Sequence, residues 1–550
     1  MKGGVYQKQY RETDDSFFYD DFYNPQEFWI KLNDGDKPDE DQIIFQGRLY
    51  QKAGKHKKWT AYHFELYSDK LIRFDLTQLK TNNADAKKDQ AAMQAKNPDA
   101  NNQTQTPNSN QSIQQPNQPE EGVVAEYIPI NSCFLKKIKY SDNSYSNYKY
   151  GIRLQRGEHK SELFTENSDT FNKWHDEIKR FCILPKFTKK YKCLTKLKIQ
   201  TLMPNSTQFF KCFRYSDSSQ YCVRVVEKYS LSDSNKQALL KEIQILRKLD
   251  NPFLCRLYEI YEDENNIYLI TELFQGKDMK SKLSDCLILD EKTISEIMWR
   301  LLQGLHHMHS KGIFHRDIKL ENIQFRNSQN ITDVCLTNFY MADFVDPKGK
   351  QTYKKCGTAG FIAPEIFKSK HYDQKIDIFS LGIVFYILMF GKMPFDAPTV
   401  DQILQLNEQC EIDFTSNDCA IKCTSSAIDL LKKMLNKDPS QRANAFQLIN
   451  HTWFINMKNR GEDGRMRNNF YGMPTLSTIQ ERSSEIVEVS SRQDLFYRRG
   501  ENGPNNSSRI YEENNNGFET LNQKMRTLNS NIFSKVPSKY RHDMAMSKLL

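Results

Sequence analysis

None of the twelve cysteines forms a C-x-x-C spacing; Cys419 and Cys423 are the closest pair, and no His stands beside them. A disulfide framework or zinc site is therefore not expected, and the thiols read as reduced, in a cytoplasmic protein. No apolar run is long enough to span a bilayer. The most apolar stretch, Ile378 to Phe390, is bounded by Asp377 and Lys392 and reads as a buried core helix. Met1 to Asp20 lacks the apolar core of a signal peptide, and Lys2 stands where N-myristoylation needs Gly. Charge of one sign is in small excess, +9, which permits attraction to acidic surfaces but gives no ground for a nucleic-acid partner. Apolar residues are scarce at 38%, so part of the chain is expected to be unstructured, although 550 residues suffice for two to four domains.

Composition shifts divide the chain. Residues 1–41 are acidic and aromatic without periodicity, a flexible arm. From Gln42 short alternating runs begin, Ile43 to Tyr50, Trp59 to Tyr67 and Leu71 to Phe74, which read as antiparallel strands. A low-complexity insert at 80–121 interrupts them. Strand-like runs resume at Val123 and continue through Ile152–Leu154. An amphipathic helix over Asp169–Phe181 then presents Phe171, Trp174, Ile178 and Phe181 on one face. The tail 457–550 is rich in Asn, Ser, Arg and Glu and is expected to be disordered.

Strands closed by one C-terminal helix bearing a Trp resemble a pleckstrin-homology domain over about 42–184, on Gly47-x-Leu49, Trp59, Phe64-x-Leu66 and Trp174. That resemblance implies a β-barrel with a C-terminal helix. Lys52, Lys55, Lys57 and Lys58 make one loop basic. Thr60 and Tyr62 occupy second-strand positions where family members that grip phosphoinositides carry cations. A lysine cluster without Arg gives weak, salt-sensitive attraction to anionic lipids, so membrane contact stands level with a merely solvated loop.

Further on, His315 to Asn322 reads H-R-D-I-K-L-E-N. Ala363-Pro364-Glu365, Asp377-x-x-Ser380-x-Gly382 and Asp438-Pro439-Ser440-Gln441-Arg442 follow in that order. Order and spacing resemble the protein kinase superfamily over about 185–456, of Ser/Thr type and similar to its calcium/calmodulin-dependent group. The resemblance implies a bilobal α+β fold. It makes Asp317 the base, places Lys319 beside the transferred phosphoryl group and makes Asn322 a metal ligand. It also implies a Glu365–Arg442 pair, Asp377 beneath the catalytic-loop backbone, and a stack of Leu246, Leu257, His315 and Phe339. Glu242 lies in the apolar stripe Leu239, Ile243, Leu246, Leu249 of a helix expected over Ser234–Leu249. A carboxylate there needs a cation, and the family supplies it as a strand lysine.

Against that pattern the nucleotide side departs repeatedly. Leu202 to Phe210 holds no glycine where backbone N–H groups should approach phosphates, and Pro204 removes a donor. Arg224 replaces the strand lysine. Phe210 and Cys222 stand for an adenine roof and Gln324 for an apolar floor, with Glu272 and Asp278 in the same degenerate cleft. Asn338-Phe339-Tyr340 replaces D-F-G, which leaves two neutral amides, Asn322 and Asn338, as weak ligands for a hard cation. Lys211 points opposite to Phe210, so it faces away from the cleft if Phe210 faces in. In the activation segment, Met341 to Phe361, Lys354 stands where relatives often carry a phosphorylated Thr. Thr352 and Tyr353 remain candidate sites, and Arg316, which would receive such a phosphate, reads as structural. His306, His307 and His309 read as helix residues rather than metal ligands.

Two functions stay open. One is a catalytically impaired pseudokinase, a scaffold or allosteric partner of other proteins recruited through the pleckstrin-homology-like domain, cytoplasmic and peripheral at membranes. The other is an active unconventional Ser/Thr protein kinase that uses ATP and Mg²⁺ to phosphorylate protein hydroxyls.

Overall fold

The structure, a computed structural model, describes residues 17–18, 28–33, 38–39, 42–53, 58–75, 125–139, 148–199, 201, 203, 205–285, 289–326, 328–346, 348–349, 351–369, 371–414 and 423–459. The insert 80–121, most of the arm 1–41, most of the tail 457–550, and Lys55 and Lys57 lie outside the described residues. The chain divides into two compact units, Met1–Leu231 with Leu257–Thr271, and Ser232–Arg256 with Glu272–Leu550.

In the first unit alternating sequence becomes two antiparallel meanders. One runs β2 (Phe45–Ala53), β3 (Lys58–Leu66), β4 (Lys70–Asp75) and β5 (Ala125–Pro129), with β1 (Ile30–Lys31) on the far edge of β5. The other is β6 (Phe134–Lys139), β7 (Tyr150–Arg156) and β8 (His159–Thr165), joined to the first where Tyr50 pairs with Phe164. Helix α1 (Ser168–Ile178) starts because the Asn167 side chain accepts the Thr170 N–H at 2.8 Å. Its stripe Phe171, Trp174, Ile178 enters the same core as Leu49, Phe64, Leu154 and Leu163.

The two-residue strand β9 (Ile183–Leu184) then carries the sheet onward. Ile183 pairs with Phe134 of β6 on one side and, in parallel, with Ile260 of β13 (Leu257–Glu262) on the other. Beyond lie β14 (Asn266–Thr271), β12 (Gln220–Glu227), β11 (Thr207–Arg214) and β10 (Tyr191–Leu197), which complete a 14-stranded sheet. Tyr191, Cys212, Val223, Tyr261 and Ile270 belong to the same hydrophobic cluster as Leu49, Phe64 and Trp174. The domain boundary expected at 184/185 thus falls inside continuous sheet and continuous core. The expected arm also contributes structure: Ile30 and Lys31 pair with Tyr127 and Glu126, and Phe17 and Phe18 are buried. A two-residue strand is too short to show periodicity, which is why composition alone read this stretch as loose.

The second unit is mostly helical: α2 (Asp233–Lys248), α3 (Met279–Ser284), α4 (Glu291–Ser310), α5 (Glu365–Lys368), α6 (Lys375–Phe390), α7 (Val400–Gln409), α8 (Ser425–Met434), α9 (Ala445–Ile449) and α10 (Thr452–Asn459). Two short antiparallel strand pairs, β15 (Ile313–Phe314) with β18 (Asp343–Phe344) and, between them in the chain, β16 (Ile323–Phe325) with β17 (Val334–Leu336), carry the loops. Helix α6 is buried almost all round, as an apolar run of that length requires, and Phe385 packs on Trp453. Among the described residues no helix is long and apolar enough to cross a membrane.

Candidate functional site

The loop between β15 and β16 is pinned from below by one buried carboxylate. Asp377, in the first turn of α6, accepts the backbone N–H groups of His315 at 2.8 Å and Arg316 at 2.9 Å, with His309 Nε2 at 3.1 Å. These contacts hold Arg316 in the left-handed region, φ +67°, which residues other than Gly seldom adopt. His315 is fully buried. Its Nε2 meets the Thr337 carbonyl at 3.0 Å and its Nδ1 accepts the Asp317 N–H at 3.3 Å, which sets the tautomer, while burial pushes the imidazole pKa down. Phe339 packs edge-on against it, ring centroids 5.2 Å apart.

Around Asp317 the side chains interlock. Thr358 donates to its Oδ1 at 2.6 Å, Lys319 lies 3.2 Å from Oδ2, and Lys319 also donates to Thr358 at 2.9 Å. Asn322 spends its NH₂ on the Asp317 carbonyl at 2.7 Å and on Oδ2 at 3.0 Å. Its remaining oxygen accepts from Asn338 Nδ2 at 3.1 Å. Asn338 sits at φ +65°, a conformation Asn tolerates better than most residues. The two candidate ligands are thus closed on each other as a neutral amide pair. They do not fit a Mg²⁺ ion, which needs anionic oxygen facing it. Among the described residues no group of three His, Cys, Asp or Glu could hold a metal. His307 accepts the Asp250 N–H and His306 lies against Phe446.

Motif reading missed Asp343. Its carboxylate lies 2.9 Å from Arg316 Nη2 and 2.9 Å from Lys241 Nζ of α2, while Arg316 Nε donates to the Met341 carbonyl at 2.7 Å. Tyr340 adds a second tie, its hydroxyl donating to Asn235 of α2 at 3.1 Å. Tyr340 has no left-handed φ, so the family glycine it replaces is not needed for strain relief here. Tyr353 is buried, donating to the Phe344 carbonyl and accepting from the Asp346 N–H, whereas Thr352 is exposed. Lower in the unit, Arg442 grips Glu365 through two bonds of 2.5 and 3.0 Å. Glu272 is held by Arg326 at 2.5 Å, Asp278 caps α3 by accepting the Ser281 N–H at 2.8 Å, and Gln324 donates to the Glu321 carbonyl at 3.3 Å.

One expectation in the first unit is corrected. Phe210 pairs with Val223 and packs against the hydrophobic cluster, whereas Phe209 pairs with Arg224 and Lys211 with Cys222. Directly paired residues share a face, so Phe210 is not on the Cys222–Arg224 face, and Lys211 is. Arg224 and Glu242 are both buried, the first in one unit and the second in the other; Leu257 and Leu246 are divided in the same way. Lys52 lies over the Trp59 ring at 5.3 Å, and Lys58 starts β3.

Comparison with known proteins gives this geometry its class. Residues 205–454 match the protein kinase domain family, so this stretch carries the kinase fold. The chain is similar to a probable serine/threonine-protein kinase 2 of Plasmodium falciparum (isolate K1 / Thailand), 31% identical over 42% of this chain and 44% of the relative. It is also similar to calcium-dependent protein kinase 5 of Plasmodium berghei (strain Anka), 33% identical over 43% of this chain and 41% of the relative, and to serine/threonine-protein kinase SIK2 of Gallus gallus, 31% over 43% and 28%. The chain spans less than half the length of these curated relatives.

Proposed function

We propose that this protein is a pseudokinase, a kinase-fold scaffold that acts on protein partners through binding and not through phosphotransfer. The observation that carries the reading is the Asn322–Asn338 amide pair, which puts two neutral groups, bonded to each other, where phosphoryl transfer depends on charge neutralisation by metal. The loss of glycines before β11 and Arg224 in place of Lys support it. The two meanders closed by α1 and Trp174 support a pleckstrin-homology-like reading of 42–184. Its lysines would give weak attraction to anionic lipids and keep a cytoplasmic protein peripheral at membranes.

A second reading, an active Ser/Thr kinase using ATP and Mg²⁺, has specific support of its own. Asp317, Lys319 and Thr358 are assembled in one hydrogen-bonded set, and Lys211 shares the face of Arg224. A thermal-shift comparison separates the two. The natural sequence should show no rise in melting temperature with Mg²⁺ and ATP together, whereas Asn338→Asp should gain a Mg²⁺-dependent rise, since a ligand that binds only the folded state stabilises it. A clear rise with the natural sequence would favour the second reading.

A further inference from the structure

The N-terminal segment places two adjacent aromatics, Phe17 and Phe18, where each is only 6% exposed. Their rings meet edge to face with centroids 5.4 Å apart. The Phe17 N–H donates to Glu262 Oε1 at 2.7 Å. That carboxylate sits at the end of β13 with its side chain wholly buried, and Lys228, just past β12, donates to the same oxygen at 2.9 Å and to the Asp263 carbonyl at 3.0 Å. Lys228 thereby holds Glu262 in place, so that one oxygen is shared between an ammonium and a main-chain donor.

Such an acceptor reads backbone and not side chain. Any residue but Pro at position 17 could supply the N–H; sequence selectivity comes from burying two consecutive rings. The segment Asp14-Asp15-Ser16-Phe17-Phe18-Tyr19-Asp20-Asp21 is too polar around that pair to bury itself without them. We propose that the Lys228–Glu262 corner of the sheet is a peptide-docking site for an aromatic dipeptide, and that Phe17–Phe18 of this same chain is its occupant. The N-terminal segment is then an internal ligand of the kinase-domain sheet rather than a spacer, whether or not the site of Asp317 transfers phosphate.

The test uses the full chain. In the natural protein, hydrogen exchange at the Phe17 and Phe18 amides should be slowed at least tenfold relative to an unprotected peptide. A fluorescent peptide of residues 10–24 should not bind, because the site is filled. The double variant Phe17→Ser/Phe18→Ser should lose the protection and should bind that peptide, while the same peptide carrying both Ser substitutions should not bind. Phe17→Pro, which removes the N–H donor together with the Phe17 ring, should release the segment further than Phe17→Ser, which removes the ring and keeps the donor. Unprotected amides in the natural protein, which need no variant to measure, would overturn the proposal. So would failure of the folded double variant to bind the peptide.

Discussion

Asp343 should matter far more than its surface partner suggests. Its carboxylate joins two cations of different burial: the Arg316 side chain is 10% exposed and Lys241 is 42% exposed. Removing one member of a buried ion pair costs about 3–5 kcal/mol because it strands the other charge. Arg316 keeps the Met341 carbonyl, so Asp343→Asn should fall at the low end, about 3 kcal/mol. Lys241 is screened by water, and Lys241→Gln should cost at most about 0.5–1 kcal/mol. Hydrogen exchange followed over α2 and over residues 338–346 reads these as local opening. An increase of about a hundredfold is expected for Asp343→Asn and about fivefold or less for Lys241→Gln. A double-mutant cycle should place the coupling between Arg316 and Asp343. Equal effects of the two variants, or none from Asp343→Asn, would refute the argument that a buried guanidinium depends on this carboxylate.

Acid should loosen the first unit through His175. Burial, with Lys137 nearby, depresses its pKa to about 4, so the folded state holds it neutral. Its contribution is full above the unfolded value near 6.5 and is lost as pH falls towards 4, at most about 3 kcal/mol. His175→Gln should flatten the urea-midpoint profile across that window, and an unchanged slope would contradict the assignment. Glu365→Ala should destabilise the second unit by about 3 kcal/mol, since Arg442 is wholly buried; a change under about 1 kcal/mol in denaturant unfolding would rule this out. Vesicles of mixed neutral and phosphatidylserine lipid should bind the protein weakly and release it as salt rises past the point where screening shortens to about 8 Å. Salt-resistant binding to one phosphoinositide would contradict the reading of Thr60 and Tyr62.

Much of the second unit was legible in sequence because its motifs carry chemistry at fixed spacing. The string from His315 to Asn322, with Asp377 and Arg442 downstream, marks a loop that must be held by buried charge, and a helix near 234–249 follows from the stripe Leu239, Ile243, Leu246. What escaped is what pairing decides. Whether Phe210 or Lys211 shares a face with Arg224 turns on one residue of register between β11 and β12, and a slip of one reverses every side chain. The continuity of core across residue 184 rests on β9, two residues long. Asp343 sits in no motif; only folding brings it to Arg316. The burial of Phe17 could not be read from composition, because its partner Glu262 lies 245 residues away.

Phosphotransfer by this protein is tested most directly by one measurement. The purified 550-residue chain, incubated with Mg²⁺ and radiolabelled ATP beside Asp317→Asn, should incorporate no more phosphate into itself or a generic protein substrate than that variant does. On the proposed reading the amides Asn322 and Asn338 stand where the reaction needs charge, and loss of one such electrostatic element commonly costs about a hundredfold or more in rate. Incorporation well above the Asp317→Asn control would contradict the pseudokinase account, and would assign the work to the Asp317, Lys319 and Thr358 set.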